Sequence, residues 1–318
     1  MLLENDHIVR STREAYGEVL IELGKEKENL FVLDADLSES TKTCAFAQAF
    51  PNRFFNMGVA EQNMMGTAAG LALSGKIPVA STFAVFASMR SSEQVRTSIA
   101  YPKLNVKIVV THSGLSVGTA GATHFCEEDL AIMRSIPNMV VIAPADALET
   151  KLAVRAAVEY WGPVYIRLGR GDSPVIYREL EDYRIGRAIT VLEGGDVTIV
   201  ATGVMVARAV QAAKELKASG LSARVIDMHT LKPLDKEILL KAAAETKGII
   251  TIEEHNIIGG LGSAVAEAVS EEKTNVLIKR LGIPDVFGDV APAEALWDKY
   301  GMSVNNICQL AWSLSERK

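Results

Sequence analysis

The sequence predicts an α/β protein of two doubly wound domains, each built on a mainly parallel sheet, with the second domain the smaller. Two observations support this fold class. Short apolar runs of strand length alternate with helical segments along nearly the whole chain, as expected when helices cover both faces of a parallel sheet. The 318 residues also exceed what one hydrophobic core usually accommodates, which is about 250–300 residues.

The first half of the chain contains six predicted strands separated by helical segments. The first predicted helix, 11–24, has an N-cap in Ser11 or Thr12, an apolar face and a terminating Gly24. The other predicted helices cover 41–49, 60–74, 84–100 and 146–160, and the predicted strands cover 31–37, 54–58, 76–82, 106–112, 138–144 and 162–168.

A polar, irregular stretch at 171–195 separates this half from a second alternating unit. We place the linker at 183–192, which gives a first domain at 1–182 and a second domain at 193–318. In the second unit, strands are predicted at 197–203, 223–229, 248–254 and 276–282, with helices near 235–245 and 262–271 and two more helices closing the chain.

Composition excludes several classes of protein. The net charge of −6 does not suggest a nucleic-acid surface. The three cysteines are far apart and form no C-x-x-C pair, so neither a disulfide framework nor a zinc site is supported. The first residues lack the basic start and apolar core of a signal peptide, and no apolar run is long enough for a bilayer. We therefore expect a cytoplasmic protein.

Ligands of open parallel sheets bind outside the carboxyl ends of the strands. This rule predicts a site in the first domain before any motif is considered. It selects Asp34 and Asp36, the segment 58–61, the segment 81–86, the loop 112–124 and the segment 167–170.

Glu61 lies where a short apolar run ends and an almost purely apolar helix begins. An acid at a helix start is favoured by the helix dipole by about 0.3–1 kcal/mol, which is a sufficient structural explanation. A buried carboxyl can alternatively share a proton with a ring nitrogen of a ligand. Phe83 and Phe86 follow the next strand three residues apart, which suits either core packing or a stacking platform for a flat aromatic ligand.

Imidazole and guanidinium groups follow two further strands. His112 and His124 flank a glycine-rich loop, although each could be an ordinary structural histidine. Arg170 follows the last strand of the domain, whereas Arg167 lies within that strand and suits a structural role. Together with Arg13 near the N-terminus, these groups favour an anion site, because a guanidinium matches a phosphate bidentately. Histidine can also shuttle protons near neutral pH.

Seven motifs in order along the chain resemble the C-terminal part of transketolases. They are GVAEQNM, STFAVF, THSGLSVG with GATH, RSIPNMVVIAPAD, RLGRGDSP, DMHTLKPLD and EEHNIIGGLGSAVAE. The resemblance implies a thiamine-diphosphate pyrimidine-binding domain at 1–182 and a transketolase C-terminal domain at 193–318. It also implies a transferase that moves a two-carbon ketol unit from a ketose phosphate to an aldose, as in the pentose phosphate pathway.

The resemblance assigns roles to the matched residues. Glu61 would hydrogen-bond the pyrimidine ring nitrogen and favour the imino form of the cofactor, whose exocyclic nitrogen removes the thiazolium C2 proton. Phe86 would stack on the pyrimidine and Phe83 would line its pocket. The matched substrate-binding positions are Arg13, His112 and Arg170 for the sugar phosphate and His124, also catalytic, for the reacting hydroxyls.

Three positions depart from the pattern of many transketolases. Ala120 stands where an acid reads the donor hydroxyls, and Met89 stands where a third aromatic is common. Asp34 occupies the place of a phosphate-binding serine, and an anion beside a phosphate is unfavourable. Donor preference is therefore open, and a branched or sulfonated sugar is an alternative.

The family holds the diphosphate and its metal with a Gly-Asp-Gly motif that this sequence does not contain. We expect no metal ligands on this chain, and we expect Mg²⁺ or another divalent ion to be held mainly by a separate N-terminal subunit. The expected assembly is a heterotetramer, formed by dimerisation of the two-chain unit, without nucleic acid or membrane partners.

Several alternatives share parts of this pattern. The beta subunit of a 2-oxoacid dehydrogenase has the same pair of domains, but the two-histidine loop and RLGRGD favour a sugar phosphate. A 1-deoxyxylulose-phosphate synthase is normally one long chain. An inactive scaffolding relative would have no need for the complete set of site residues.

Overall fold

The computed structural model of the protein describes residues 8–316, which form three sheets and twelve α-helices. The α-helices are α1 Thr12–Glu26, α2 Ser38–Thr41, α3 Cys44–Ala49, α4 Glu61–Leu73, α5 Ser92–Gln94, α6 Asp129–Ser135, α7 Ala147–Glu159, α8 Met205–Ala218, α9 Lys236–Glu245, α10 Leu261–Ser270, α11 Ala293–Lys299 and α12 Val304–Ser315. The strands are β1 Val9–Ser11, β2 Leu30–Asp34, β3 Phe54–Asn56, β4 Ile77–Phe83, β5 Lys107–Thr111, β6 Val140–Ile142, β7 Val164–Arg167, β8 Asp172–Pro174, β9 Ile189–Leu192, β10 Val197–Ala201, β11 Ala223–Asp227, β12 Thr230–Lys232, β13 Gly248–Asn256 and β14 Leu277–Ile283.

The first sheet has seven strands in the order β12-β6-β7-β5-β4-β2-β3. All neighbours are parallel except β12, which runs antiparallel to β6. Its central strands are apolar and buried on both faces, as predicted for a parallel sheet covered by helices. The carboxyl ends of β2, β4, β5 and β7 therefore lie along one edge.

The second sheet has five strands in the order β14-β13-β10-β11-β9, with only β9 antiparallel to its neighbour. Strand β9 falls in the predicted linker region and was not predicted from the sequence. A two-stranded antiparallel sheet of β1 and β8 joins the start of the chain to the segment after β7.

The two halves of the chain both contribute strands to the first sheet, and they also pack against each other. Strand β12 comes from the second half of the sequence but forms the edge of the first sheet. Between the halves, the buried guanidinium of Arg167 pairs with Asp129 at 3.0 Å and lies 3.7 Å from Glu254 of β13. Arg167 is therefore structural, as its place within a strand predicted.

Local sequence explains most helix starts. The side chain of Ser11 accepts from the backbone of Glu14 at the start of α1, and Asp146 does the same for Glu149 at the start of α7. The predicted helix at 84–100 is different, because wide π-helical turns at Phe86–Arg90 and Val95–Ala100 flank the single turn α5. Such turns are frequent at functional sites.

Among residues 8–316, no helix is both long enough and apolar enough to cross a bilayer. The cysteines at 44, 126 and 308 are free thiols.

Candidate functional site

Glu61 is the first residue of α4, and it is buried, with 1% of its surface exposed. Its Oε2 accepts from Nη1 of Arg90 at 2.8 Å. Its Oε1 is also buried and has no hydrogen-bond partner among residues 8–316. An unpartnered carboxylate oxygen in such a place costs about 1–3 kcal/mol, so the site is set up to receive a hydrogen-bond donor.

Two phenyl rings lie at the end of β4, and one of them is linked to Glu61 through Arg90. Phe83 is buried at the strand end, and Phe86 begins the first π-helical turn. Their ring centroids are 5.8 Å apart with planes inclined by 15°. The guanidinium of Arg90 lies 4.2 Å from the centroid of Phe86. The guanidinium of Arg90 therefore joins the pair of phenyl rings to the buried acid.

His112 follows β5 in a left-handed backbone conformation with φ of +58°. Its ring stacks on Phe83, with centroids 3.8 Å apart, and its Nδ1 lies 2.8 Å from the hydroxyl of Thr111. Burial, together with the positive charges of Arg13 and Arg170, lowers the pKa of His112 to about 3. The imidazole is therefore neutral at physiological pH, and each ring nitrogen can serve as either donor or acceptor according to its tautomer.

His124 lies at the far end of the glycine-rich loop and is exposed. Its ring stands edge-on to both phenyl rings, 6.2 Å from Phe83 and 6.1 Å from Phe86. The hydroxyl of Thr123 lies 3.0 Å from its Nδ1. The two histidines therefore face the same pair of rings from different directions.

Arg13 of α1 and Arg170, which follows β7, form a cationic pair at the same edge. Nε of Arg13 donates to the carbonyl of Arg170 at 2.8 Å, and its Nη1 donates to the carbonyl of Ser40 at 2.6 Å. Nη1 of Arg170 donates to the carbonyl of Val117 at 3.0 Å. Burial and the charge of Arg170 lower the pKa of Arg13, so an anion bound beside the two guanidinium groups would be favoured electrostatically.

The three residues that depart from the pattern of many transketolases differ in burial. Asp34 is fully buried, and both of its oxygens are engaged: Oδ1 accepts from the backbone of Leu37 at 2.6 Å, and Oδ2 accepts from the hydroxyls of Thr41 and Thr43. Its carboxylate therefore orders the segment after β2. Met89 and Ala120 are exposed.

The glycine-rich loop rests on the second domain. Gly114 has φ of +59°, and a Cβ at this position would lie 2.4 Å from the carbonyl oxygen of Glu254. The carboxylate of Glu254 accepts from the backbone of Ser116 at 3.0 Å and from the indole of Trp297 at 3.2 Å. The loop between the two histidines is thereby fixed by strand β13.

Sequence reasoning missed Arg90, which contacts two of the predicted site residues. Its spacing of four residues from Phe86 was the available signal, because side chains four apart on a helix are neighbours. Its contact with Glu61 joins two helical segments that are 29 residues apart, and no local spacing in the sequence indicates such a contact.

Two other features lie apart from this cluster. Within residues 8–316, no group of three or more histidine, cysteine or acidic side chains is placed to hold a metal ion. A cavity of about 710 Å³ lies between α8, α11 and the segment after β7, and it contains none of the predicted site residues.

Comparisons with known proteins bear on this arrangement. Residues 9–175 match the family model described as "Transketolase, pyrimidine binding domain", and residues 186–307 match "Transketolase, C-terminal domain". The chain belongs to the transketolase family. The predicted family and fold class are confirmed, and the chain has the two domains of a transketolase C-terminal section.

Similar proteins include half-length transketolases. A protein of Methanocaldococcus jannaschii named as a transketolase C-terminal section is 51% identical over 95% of each chain. A "6-deoxy-6-sulfo-D-fructose transketolase subunit" of a Clostridium species, strain MSTE9, is 42% identical over 96% of this chain and 95% of its own. A solved structure described as "Split gene transketolase, inactive beta4 tetramer" is 53% identical, with a TM-score of 0.88 over 96% of this chain and 98% of its own.

The residues present fit the pyrimidine of the cofactor that the family implies. The unpartnered Oε1 of Glu61 can accept a hydrogen bond from a protonated ring nitrogen. The guanidinium of Arg90 contacts both the Glu61 carboxylate and the ring of Phe86, and so links the two. The described residues offer no comparable place for a divalent metal.

Proposed function

We propose that this chain is the C-terminal subunit of a two-chain, thiamine-diphosphate-dependent transketolase. The enzyme transfers a two-carbon ketol unit from a ketose phosphate donor to an aldose acceptor. One observation carries the proposal: the buried Glu61, whose Oε1 has no partner among residues 8–316, is linked through Arg90 to Phe86, and the rings of Phe86 and Phe83 lie beside two histidines.

Each residue of the site then has a task. Glu61 holds a proton against the pyrimidine ring nitrogen, and Phe86 and Phe83 orient and shield that ring. The bound cofactor supplies a nucleophilic carbon and an electron sink for the ketol unit. His124 contacts the reacting hydroxyls and can move a proton there.

The substrate phosphate is assigned to the cationic end of the site. Arg13 and Arg170 supply donors at the carboxyl edge of the first sheet, and the neutral His112 adds a further polar contact. A guanidinium suits phosphate because several of its N–H groups lie in one plane.

The proposed partner is an N-terminal subunit that carries the Gly-Asp-Gly motif and holds the diphosphate and Mg²⁺. The sequence lacks that motif, and the relatives cited above include a named subunit and a split-gene protein described as an inactive tetramer. The working assembly is a heterotetramer with sites between subunits. The three free thiols suit a cytoplasmic enzyme, and a place in the pentose phosphate pathway follows if the donor is a pentose or hexose phosphate.

A sulfonated ketose is a second candidate donor. The 42%-identical relative is named for a sulfonated fructose, and a sulfonate offers the same oxygen acceptors to a pair of arginines as a phosphate does. Ala120, which replaces an acid in the loop, is an exposed neutral residue and leaves room for either donor. A donor panel containing both sugar classes distinguishes them.

The test substitutes Glu61 by Gln in the pair reconstituted with its N-terminal subunit, thiamine diphosphate and Mg²⁺. We expect the rate of ketol transfer to fall by about 10²–10⁴-fold, because the proton contact is lost while the shape is kept. The matched control is Gln62→Ala, since residue 62 is the exposed neighbour on the same helix turn.

Two results would contradict the proposal. One is a Glu61→Gln pair that retains activity within about threefold of the wild type. The other is robust ketol transfer by this chain alone, which would remove the need for the partner.

A further inference from the structure

Arg90 makes both of the contacts that define the proposed pyrimidine seat. Its Nη1 donates to the carboxylate of Glu61 at 2.8 Å, and the carbon of its guanidinium lies 4.2 Å from the centroid of Phe86. A guanidinium is flat, cationic and rich in N–H donors. It therefore presents to this acid and this ring the same features as a protonated aminopyrimidine.

We propose that Arg90 is a latch that occupies the pyrimidine seat and must leave when the cofactor binds. A flat ring cannot stack on the covered face of Phe86 while the guanidinium lies there at 4.2 Å. The inference rests on the proposed function, because it concerns the binding of the same cofactor.

Arg90 and Glu61 differ in solvent exposure, as expected if Arg90 moves while Glu61 stays in place. Glu61 is 1% exposed and anchored at the start of a helix, whereas the Arg90 side chain is 45% exposed. Arg90 can therefore swing into water, where its charge is well solvated, while the acid stays in place. The described structure gives Arg90 no second acidic partner, so its contacts with Glu61 and Phe86 are the ones that the cofactor would replace.

Arg90 also stabilises the buried Glu61 carboxylate when no cofactor is bound. With Arg90 in place, the buried carboxylate has a counter-charge before any ligand arrives, which avoids the cost of an unpaired buried ion. A half-exposed ion pair and a cation–π contact are each weak, so displacement by the cofactor lowers its affinity only about 3–10-fold.

The experiment compares wild type, Arg90→Ala and Arg90→Lys in the reconstituted pair by isothermal titration calorimetry. The two ligands are thiamine diphosphate and thiamine, both in the presence of Mg²⁺. Arg90→Ala should bind each ligand about 3–10-fold more tightly, and Arg90→Lys should lie between it and the wild type, because a lysine keeps the charge but not the flat fork. The matched control, Arg96→Ala, removes an exposed arginine of the same segment and should bind like the wild type.

The results separate the latch from its rivals. Equal or weaker binding of both ligands by Arg90→Ala would overturn it, since a residue that positions Glu61 would be needed for affinity. Weaker binding of thiamine diphosphate alone would also overturn it, and would assign Arg90 to attraction of the diphosphate. If neither wild type nor any variant bound either ligand, the proposed function itself would fail, and the latch with it.

Discussion

The imidazole of His112 lies flat against the ring of Phe83, with centroids 3.8 Å apart and planes inclined by 21°. The stack joins the end of β5 to the end of β4 and places a polar ring on the wall of the phenyl platform. It also removes one face of the imidazole from water. The proposed phosphate end and pyrimidine end of the site are therefore one continuous surface.

We expect His112 to stay neutral through the physiological range. Its pKa is lowered to about 3 by burial and by the nearby arginines, so it takes up a proton only in strong acid. Because the unfolded chain protonates near its ordinary value of 6.5, the stabilisation is present above that pH and declines between about 6.5 and 3. Nitrogen chemical shifts of the ring, assigned with His112→Gln, should not move between pH 5 and 8. A titration near pH 6.5 would contradict this.

Arg170 should govern affinity for the anionic group of the donor. We expect Arg170→Ala to raise KM for a phosphorylated ketose by at least about tenfold, because one charge-assisted contact is lost. The KM for an uncharged ketose should change little. Arg178→Ala, which removes an exposed arginine in the following segment, is the control. Since Arg170 also donates to Val117, melting curves of the variant should verify that the loop is retained.

The buried pair of Asp129 and Arg167 should be essential for stability. The Asp129 carboxylate also accepts from the hydroxyl of Tyr165 at 2.8 Å, so Asp129→Ala leaves the phenol unpaired and removes the nearer of the two carboxylates beside Arg167. We expect a loss of about 3–5 kcal/mol in the free energy of unfolding. Urea denaturation measures it, with the exposed pair of Asp182 and Arg184 as the control. Equal effects of Asp129→Ala and Asp182→Ala would contradict the prediction.

The interface between the domains should weaken as pH rises. Glu149 of α7 and Asp227 of β11 are fully buried and interact electrostatically, and among residues 8–316 one oxygen of each carboxylate has no hydrogen-bond partner. Burial raises the pKa of both, that of Asp227 to about 7. Asp146 adds a negative charge, while Tyr177 donates to Asp227 at 2.7 Å. The stabilising proton is fully held below about pH 4 and is lost as pH rises through about 7.

The measurement is the free energy of unfolding between pH 5 and 8, which each released proton lowers by at most about 1.4 kcal/mol per pH unit. Asp227→Asn should flatten the slope, because an amide does not titrate in this range. Asp182→Asn, at an exposed position, should keep the slope of the wild type. Identical slopes in the two variants would contradict the prediction.

The sequence predicted those parts of the site that depend on strand ends. Glu61, Phe83, His112 and Arg170 all follow apolar runs, and parallel strands bring such positions to one edge whatever their separation in the chain. Burial of Glu61 was foreseeable from the apolar helix that follows it. The predicted roles of these residues toward cofactor and substrate remain predictions.

Features that depend on distant partners could not be predicted in this way. Strand β12 joins the first sheet because of long-range pairing with β6, and nothing in residues 230–232 marks that pairing. The position of Asp34 at the end of β2 predicts a site residue, yet its oxygens accept hydrogen bonds from Leu37, Thr41 and Thr43. The wide turns near Phe86 share the apolar spacing of an ordinary helix.

The close approach of Gly114 to the carbonyl of Glu254 has a practical consequence for anyone who wishes to shorten this protein. A fragment ending at the linker would keep all seven residues proposed to act on cofactor and sugar. It would nevertheless lose the contacts with Glu254 that support the loop between His112 and His124. Arg167 would also lose its neighbour Glu254 and become exposed to solvent. All seven of those residues belong to the first domain, so the part that we assign to the second domain is to hold this loop in place.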